Sequence, residues 1–336
     1  MHRNSLAIID LVDYKLFDME EVLLSDISET IQMIPLETSD TVLIGNINSI
    51  KLEAEKLFIR TTQEVIVFDG SGSFLNTIGE KGRGPKEYLS LYDIFPENNM
   101  VWLIDGQGRK VLKFSNSGLF IDSFEIGYNL FTEFYYLGSD AFVGFIPDYG
   151  LSTDMMLAFF NPTGLVDSVL YNNPVEKNNN FFIRLYGGEA IFIHSDTQVK
   201  FKYVFNDTIY RIVDYTLIPD MVLNLGARKA NENARAISIH RDPSTYDIYE
   251  GMDVVLLRGE NERYIYFIVD GVPIFYDKKE RRFHKWAFRL PEDERIDQEQ
   301  AQKFIPKNID KNGYLIGATS PANEEDNPVI VIAKLK

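Results

Sequence analysis

The chain has 336 residues, 45% of them hydrophobic and 13% aromatic, which is enough apolar material for a packed core and excludes a disordered chain. Asp and Glu number 50 against 34 Lys and Arg, giving a formal net charge of −16 that repels phosphate backbones, so we expect no nucleic acid partner. The lack of Cys excludes disulfides, Cys-ligated zinc and thiol nucleophiles. The 24 Phe and 18 Tyr favour pleated, half-buried surfaces and predict a β-rich fold.

No apolar run approaches the roughly 18 to 20 residues that a membrane span needs. The first ten residues contain too few apolar side chains for the core of a signal peptide. These observations leave two expectations open: a cytoplasmic protein, or an exported one whose targeting segment lies outside this sequence.

The first predicted element in chain order is a strand near residues 30–37, which has no partner strand close to it in the sequence. A repeat follows. Three segments align without gaps at a period of 46 residues, and each joins an apolar strand to a second strand through a polar turn that ends in Gly. The period is marked by Phe68, Phe114 and Phe160 and by the glycines at 72, 118 and 164. This pattern predicts β-hairpins, because Gly supplies the positive φ that such turns require.

Two further strands precede each of the first two hairpins, at 47–52 and 56–60 and at 92–95 and 100–104. Four short strands per 40 to 50 residues are typical of the blades of a β-propeller. The second half keeps the pattern with predicted strands at 190–194, 207–213, 215–225, 252–257, 263–269, 272–277, 283–289, 313–319 and 328–335. Two charged insertions, near 227–249 and 291–304, are expected at the rim.

These elements make five blades and a sixth that lacks its outer strand. We therefore predict a single domain over residues 1–336, an all-β six-bladed propeller whose last blade is completed by the strand near 30–37. That closure would tie the termini together and remove an open sheet edge. A β-sandwich or a pair of open sheets is the alternative.

The loop that follows the first hairpin carries a family resemblance. Residues 74–88 read FLNTIGEKGRGPKEY, and the chain here resembles six-bladed propellers of gut Bacteroidetes that are related to NHL-repeat propellers. Those proteins have a strand ending in Ile-Gly and then a loop of the form Gly-x-Gly-Pro-Gly-Glu-Tyr, in which Lys86 here replaces a Gly. Residues 24–38 resemble the N-terminal closing segment of the family, and residues 206–210 resemble its mid-chain blade motif. The resemblance implies an extracytoplasmic lipoprotein of unassigned function, attached to a membrane only through a lipid anchor that this sequence lacks.

The same loop supplies the predicted site. A propeller's blade-to-blade crossover shares a face with the loops between its second and third strands, and binding residues concentrate on loops held by a rigid scaffold. We therefore predict a ligand-binding patch formed by Arg83, Lys86, Glu87, Tyr88 and Arg109. Arg and Glu would bond hydroxyls or carboxylates, and Tyr would offer a stacking face. The alternative is that the glycines shape a tight turn that Glu87 and Tyr88 anchor.

No catalytic set is recognisable in the sequence. The four His are scattered without ligand spacing, and Asp140, Asp148 and Asp154 follow no calcium-loop pattern. The leading hypothesis is a non-enzymatic cell-envelope propeller without a cofactor that binds a glycan, peptide or protein. A calcium-dependent lactonase or esterase with a metal in the central channel is the enzymatic alternative. A structural domain of a larger complex is the third.

Overall fold

The computed structural model describes residues 6–12, 15, 18–127, 131–146, 154–170, 190–195, 198–229, 252–287 and 289–336. Six antiparallel sheets form its blades, and the first strand of each blade contacts the first strand of a neighbouring blade. The predicted six-bladed β-propeller is confirmed. Within this part of the chain no helix is long and apolar enough to cross a membrane.

The strands are numbered by blade, from the central axis outwards. Blade 1 contains Ser49–Glu53, Lys56–Arg60, Val65–Asp69 and Phe74–Thr77. Blade 2 contains Leu91–Glu97, Met100–Asp105, Lys110–Ser115 and Phe120–Glu125. Blade 3 contains Glu133–Gly138, Ala141–Phe145, Met155–Asn161 and Gly164–Leu170. Blade 4 contains Ala190–Ser195, Gln198–Tyr203, Thr208–Val213 and Thr216–Asn224.

Blade 5 contains Val255–Glu260, Tyr264–Val269, Val272–Asp277 and Arg282–Trp286. Blade 6 contains Asn308–Ile309, Tyr314–Thr319 and Val329–Leu335, and its outer strand is Ser28–Pro35. The short helices are Leu24–Ile27, Gln298–Ala301 and the 3₁₀ turn Gly226–Arg228.

The 46-residue repeat corresponds to the third strand of blades 1 to 3 and the turn that follows it. Phe68, Phe114 and Phe160 each lie where the pairing with the fourth strand shifts register. The repeated glycines that follow have φ values of +92°, +83° and +116°. The predicted hairpins are therefore confirmed, with Gly at the positive-φ position of each.

The hydrophobic core is divided among the interfaces between blades. The described residues form six clusters of buried apolar side chains, one for each pair of neighbouring blades. The cluster between blades 6 and 1 packs Ile330 and Ile34 against Ile50 and Ile59, which closes the ring. Each blade is thus held by apolar burial on both of its faces.

The N-terminal segment closes the propeller as predicted. Ser28–Pro35 pairs antiparallel with Val329–Leu335, with Ile34 opposite Ile330. The structure adds two strands that the sequence did not predict, Ala7–Asp10 and Glu21–Val22, which pair parallel with the outer strands of blades 4 and 5. The N-terminal segment therefore contributes an outer strand to each of blades 4, 5 and 6.

The two predicted insertions differ in how much of them is described. Residues 291–304 contain the helix Gln298–Ala301, and the Nε1 of Trp286 donates a hydrogen bond of 2.7 Å to the carbonyl of Phe304. This segment packs against the core between blades 5 and 6. The insertion near 227–249 is described only as far as residue 229, and the rest lies outside the described residues.

Candidate functional site

The crossover from blade 1 to blade 2, residues 79–88, is a compact loop with its own hydrogen bonds. The amide of Gly82 donates to the carbonyl of Tyr88 at 2.9 Å, and the amide of Tyr88 donates to the carbonyl of Glu80 at 3.0 Å. The side chain of Glu87 folds back over the loop, where its Oε2 accepts from the amide of Gly84 at 2.7 Å. A Cβ at Gly82 would lie 1.9 Å from that carboxylate oxygen, so the Glu87 side chain occupies the space that this glycine leaves open.

Tyr88 anchors the loop to blades 1 and 2. Its side chain is 1% exposed and lies in the core between these blades. The hydroxyl donates to the carbonyl of Gln63 at 3.0 Å, and burial, reinforced by the charges of Glu64 and Glu80, raises the pKa of this phenol. Glu87 and Tyr88 therefore hold the loop in shape, and their predicted contact with a ligand stays a prediction.

Three loops meet here, in the arrangement that the sequence predicts. Lys81 Nζ donates to the side chain of Gln63 at 2.8 Å, and Lys110 Nζ donates to the carbonyl of Gly84 at 3.0 Å. The buried carboxylate of Asp105 accepts from the amides of residues 89, 90 and 108 at 2.9 to 3.0 Å. We call residues 61–64, 79–88 and 105–110 together the loop face.

The charged side chains of the loop face that remain exposed are mainly cationic. Lys81, Arg83, Lys86 and Arg109 are exposed, against a single exposed carboxylate, Glu80. The Lys86 Nζ lies 5.4 Å from the centroid of the Phe120 ring, a cation–π distance. The described residues offer no ion-pair partner to any of the four cations. The predicted binding role of Arg83, Lys86 and Arg109 also stays a prediction, but the structure does bring them to one surface, together with Lys81, which the sequence analysis did not single out.

The propeller axis contains a cavity that the sequence did not indicate. Its volume is about 320 Å³, and the innermost strands of all six blades contribute to its wall. We call it the central channel. The aromatic part of the wall is formed by Phe95, Tyr135 and Phe192, with Tyr135 between the other two at centroid distances of 5.4 and 6.0 Å.

Most charges along the channel are paired. Lys311 Nζ lies 3.0 Å from a carboxylate oxygen of Glu53 and 3.4 Å from one of Glu97. Lys51 lies 3.8 Å from Asp93, with its Nζ 5.4 Å from the Phe95 ring centroid. These pairs leave little net charge on that side of the channel.

Arg258 is an exception. The innermost strand of blade 5 shifts register between Leu257 and Gly259, so Arg258 is the extra residue of a β-bulge, a feature that re-aims a side chain. It lines the channel, and its Nε is buried without a hydrogen-bond partner in the described part of the chain. Among the described residues its guanidinium has neither an ion pair nor a hydrogen bond.

Asp310, in blade 6, is the second exception. Its Oδ1 accepts from the amides of Asn312 and Tyr314 at 2.9 and 2.8 Å, while its Oδ2 is buried and has no hydrogen-bond partner among the residues that the structure describes. Burial raises the pKa of this carboxyl to about 6, because the cost of desolvation exceeds the stabilisation by those amides and by Lys311.

Potential metal ligands converge elsewhere. In the described part of the chain the one group of three is Asp277, Glu280 and His284, at the hairpin between the third and fourth strands of blade 5. The Asp277 carboxylate there already accepts at Oδ2 from the Nε and a terminal nitrogen of Arg263 at 2.9 and 2.8 Å, and at Oδ1 from the amides of Lys279 and Glu280 at 2.8 and 2.9 Å. A metal ion would therefore compete with the guanidinium of Arg263 for this carboxylate, so the three residues do not fit a metal centre.

Of the aspartates considered for calcium, Asp140 accepts hydrogen bonds from Trp102 and Lys113 at 3.0 Å, and Asp148 lies outside the described residues.

The fold is shared with a solved structure. A protein from Bacteroides fragilis, described as a "Putative exported protein", is 18% identical with a TM-score of 0.72, over 98% of this chain and all of that one. A member of the DUF4221 family from Bacteroides vulgatus is 12% identical with a TM-score of 0.45, over 92% of this chain and 97% of that one. No curated protein matches the sequence. The family model described as "Domain of unknown function (DUF4934)" matches residues 6–334, and this chain therefore belongs to the DUF4934 family.

Proposed function

We propose that the protein is a non-enzymatic, extracytoplasmic propeller that binds an acidic partner through its loop face. The partner is a glycan, peptide or protein that carries carboxylate or sulfate groups. One observation carries the proposal: four exposed cations that have no ion pair among the described residues share a rigid surface, on a chain whose net charge is −16. Such a local reversal of charge is an electrostatic footprint for an anion.

The rigidity of the loop face supports a binding role. The carboxylate of Asp105 and the ammonium of Lys110 tie the loop 105–110 to the crossover and to the residues just after it, so the exposed cations start from a fixed backbone. A partner that binds a fixed surface loses less conformational entropy than one that must order mobile loops. The exported description of the B. fragilis protein and the family resemblance support the extracytoplasmic location. Under this proposal, membrane contact would be made only through a lipid anchor.

The test is binding of polygalacturonate and poly-L-glutamate to the full chain, with neutral mannan as the uncharged probe. We expect binding of at least one polyanion, weakening with salt, and loss of that binding in the triple variant Arg83→Gln, Lys86→Gln, Arg109→Gln. The matched control is Lys15→Gln, Lys279→Gln, Arg289→Gln, which removes the same number of exposed positive charges elsewhere.

Equal weakening in both triple variants would show that net charge alone governs the interaction and would refute a loop-face site. Binding of neither polyanion would also refute the proposal and favour a structural role in a larger complex. The extracytoplasmic location is tested separately, by fractionation of cells that express the native gene.

A further inference from the structure

The central channel has the properties of a second, separate binding site. Its volume of about 320 Å³ is at the lower end of the range for small-molecule pockets, and its wall combines aromatic faces with a few polar groups. The loop face is an exposed surface suited to a large partner, whereas the channel can enclose only a small molecule.

Arg258 indicates the charge of that molecule. A guanidinium keeps its proton under all physiological conditions, so leaving its Nε buried without an acceptor costs free energy that a bound anion would recover. Its planar fork matches the two oxygens of a carboxylate. The β-bulge that places Arg258 in the channel interrupts the ladder of blade 5.

Asp310 requires the opposite kind of group on the ligand, a hydrogen-bond donor. Its Oδ2 can only accept a hydrogen bond when ionised, so a ligand that satisfies it must carry a donor. The two residues start from adjacent backbone positions: a Cβ at Gly259 would lie 2.6 Å from the backbone nitrogen and oxygen of Ile309. Arg258 and Asp310 are each one residue from this contact, on neighbouring blades.

The other channel charges favour a singly charged ligand. Glu53 and Glu97 already pair with Lys311, whereas the carboxylate of Asp310 would repel a second negative charge on a ligand such as phosphate. The rings of Phe95 and Tyr135 offer apolar faces to the carbon skeleton of the ligand.

We propose that the central channel binds a small monocarboxylate that also carries hydrogen-bond donors, with its carboxylate on Arg258 and a donor on Asp310. The donors can be hydroxyls, as in a sugar acid, or an ammonium, as in an amino acid, and the experiment distinguishes these two sources.

The probes are D-glucuronate and L-alanine, with D-glucose and L-alaninamide as the counterparts that lack the carboxylate. Binding to the full chain is measured by calorimetry and by the shift in melting temperature, which rises when a ligand binds only the native state. We expect one of the two carboxylates to bind and its counterpart to fail. Arg258→Gln should weaken binding roughly tenfold to a hundredfold, the range expected for a lost charge-assisted hydrogen bond. Asp310→Asn should weaken it by roughly tenfold.

The triple variant of the loop face is the control, and its affinity for the carboxylate should equal that of the wild type. The proposal would be overturned if neither carboxylate bound, if a counterpart bound as tightly as its carboxylate, or if Arg258→Gln had unchanged affinity. If Arg258→Gln fails to fold, Arg258→Lys keeps the charge but loses the fork, and the probe comparison on the wild type still decides. Failure of the channel site leaves polyanion binding at the loop face untouched, and the reverse also holds.

Discussion

The loop face and the central channel satisfy their polar groups in different ways. On the loop face, Glu87 caps a backbone amide, Tyr88 is buried with its hydroxyl bonded, and the buried carboxylate of Asp105 accepts three amides. In the channel, Arg258 and Asp310 each keep a buried polar atom that has no partner within the described ranges. Buried polar groups in native proteins are nearly always paired, so the channel departs from the rule and the loop face obeys it.

This difference separates residues that build a site from residues that are available to a ligand. The polar and aromatic residues of the Gly-rich motif are mostly used to build the loop. The groups available to a ligand are those that still have an unused hydrogen-bond donor or acceptor: the exposed cations of the loop face, and Arg258 and Asp310 in the channel. Each of the following predictions tests whether a residue, or a set of residues, builds its site or is available to a ligand, as its contacts indicate.

The largest expected effect is on Tyr88. Tyr88→Ala should lower the free energy of unfolding by about 3 to 5 kcal/mol, because it removes a fully buried aromatic side chain from the core between blades 1 and 2. Tyr88→Phe loses only the hydrogen bond to Gln63 and should cost about 1 kcal/mol. Urea denaturation followed by fluorescence measures both. Wild-type stability in Tyr88→Ala together with lost polyanion binding would make Tyr88 a ligand residue instead of an anchor.

The second prediction is a gain of stability in the channel. Asp310→Asn should raise the free energy of unfolding at pH 7 by about 2 kcal/mol, less than the full pKa shift would give because the carboxyl is still partly solvated. The Asn Oδ1 can still accept from the amides of Asn312 and Tyr314. The same variant is expected to bind the channel ligand more weakly, so stability and binding should move in opposite directions.

The pH dependence of that gain gives a sharper test. Because burial raises the pKa of Asp310 in the folded state from 3.8 to about 6, the native protein holds this proton more tightly than the unfolded chain does. Its contribution to stability is therefore present below pH 4 and is lost as the pH rises to about 6. The advantage of Asp310→Asn should be small at pH 4 and reach its full size above pH 6. An equal advantage at both ends would show that ionisation of Asp310 is not the cause.

The parts of the fold that have a local sequence pattern could be predicted, whereas the channel could not. The 46-residue period predicts the hairpins of blades 1 to 3, because strand and turn are encoded within a dozen residues. The sequence analysis does not predict the strand Gln198–Tyr203. Two of its residues are lysines, which are rarely buried, yet Lys200 and Lys202 are both buried. Ala7–Asp10 was missed because it is short and its partner lies more than 200 residues away.

The two candidate sites differ in the same way. The predicted cations of the loop face come from two segments that are close in the chain, and a Gly-rich motif marks their position. The channel draws its wall from positions between residues 48 and 311, and no spacing in the sequence relates Arg258 to Asp310. The sequence marks the β-bulge at Arg258 only by the neighbouring Gly259, since a glycine inside a strand often marks a bulge. Only the closed ring brings these residues together.

A smaller effect is expected at Glu87. Glu87→Ala should lower the free energy of unfolding by about 1 kcal/mol, because the amide of Gly84 loses its charged acceptor at a half-buried position. Glu87→Gln retains an acceptor of the same reach and should cost less. The measurement is again urea denaturation, combined with hydrogen exchange of the Gly84 amide, which should accelerate in the Ala variant. Unchanged exchange at Gly84 would show that the Glu87 carboxylate does not hold the loop.

The smallest expected effect on folding belongs to the exposed cations of the loop face. The triple variant Arg83→Gln, Lys86→Gln, Arg109→Gln should change the free energy of unfolding by less than about 0.5 kcal/mol at Arg83 and at Arg109 and by at most about 1 kcal/mol at Lys86, because none of the three side chains has an ion pair in the described structure and all are exposed. The cation–π contact of Lys86 with Phe120 is the largest single interaction lost, and at an exposed site it contributes about 0.5 to 1 kcal/mol at most. Denaturation at low and high salt separates this local loss from the added repulsion in an already acidic chain, since salt screens only the repulsion. If the free energy of unfolding fell by several kcal/mol even at high salt, these cations would stabilise the loop face, as Glu87 and Tyr88 do, and would not be available to a partner.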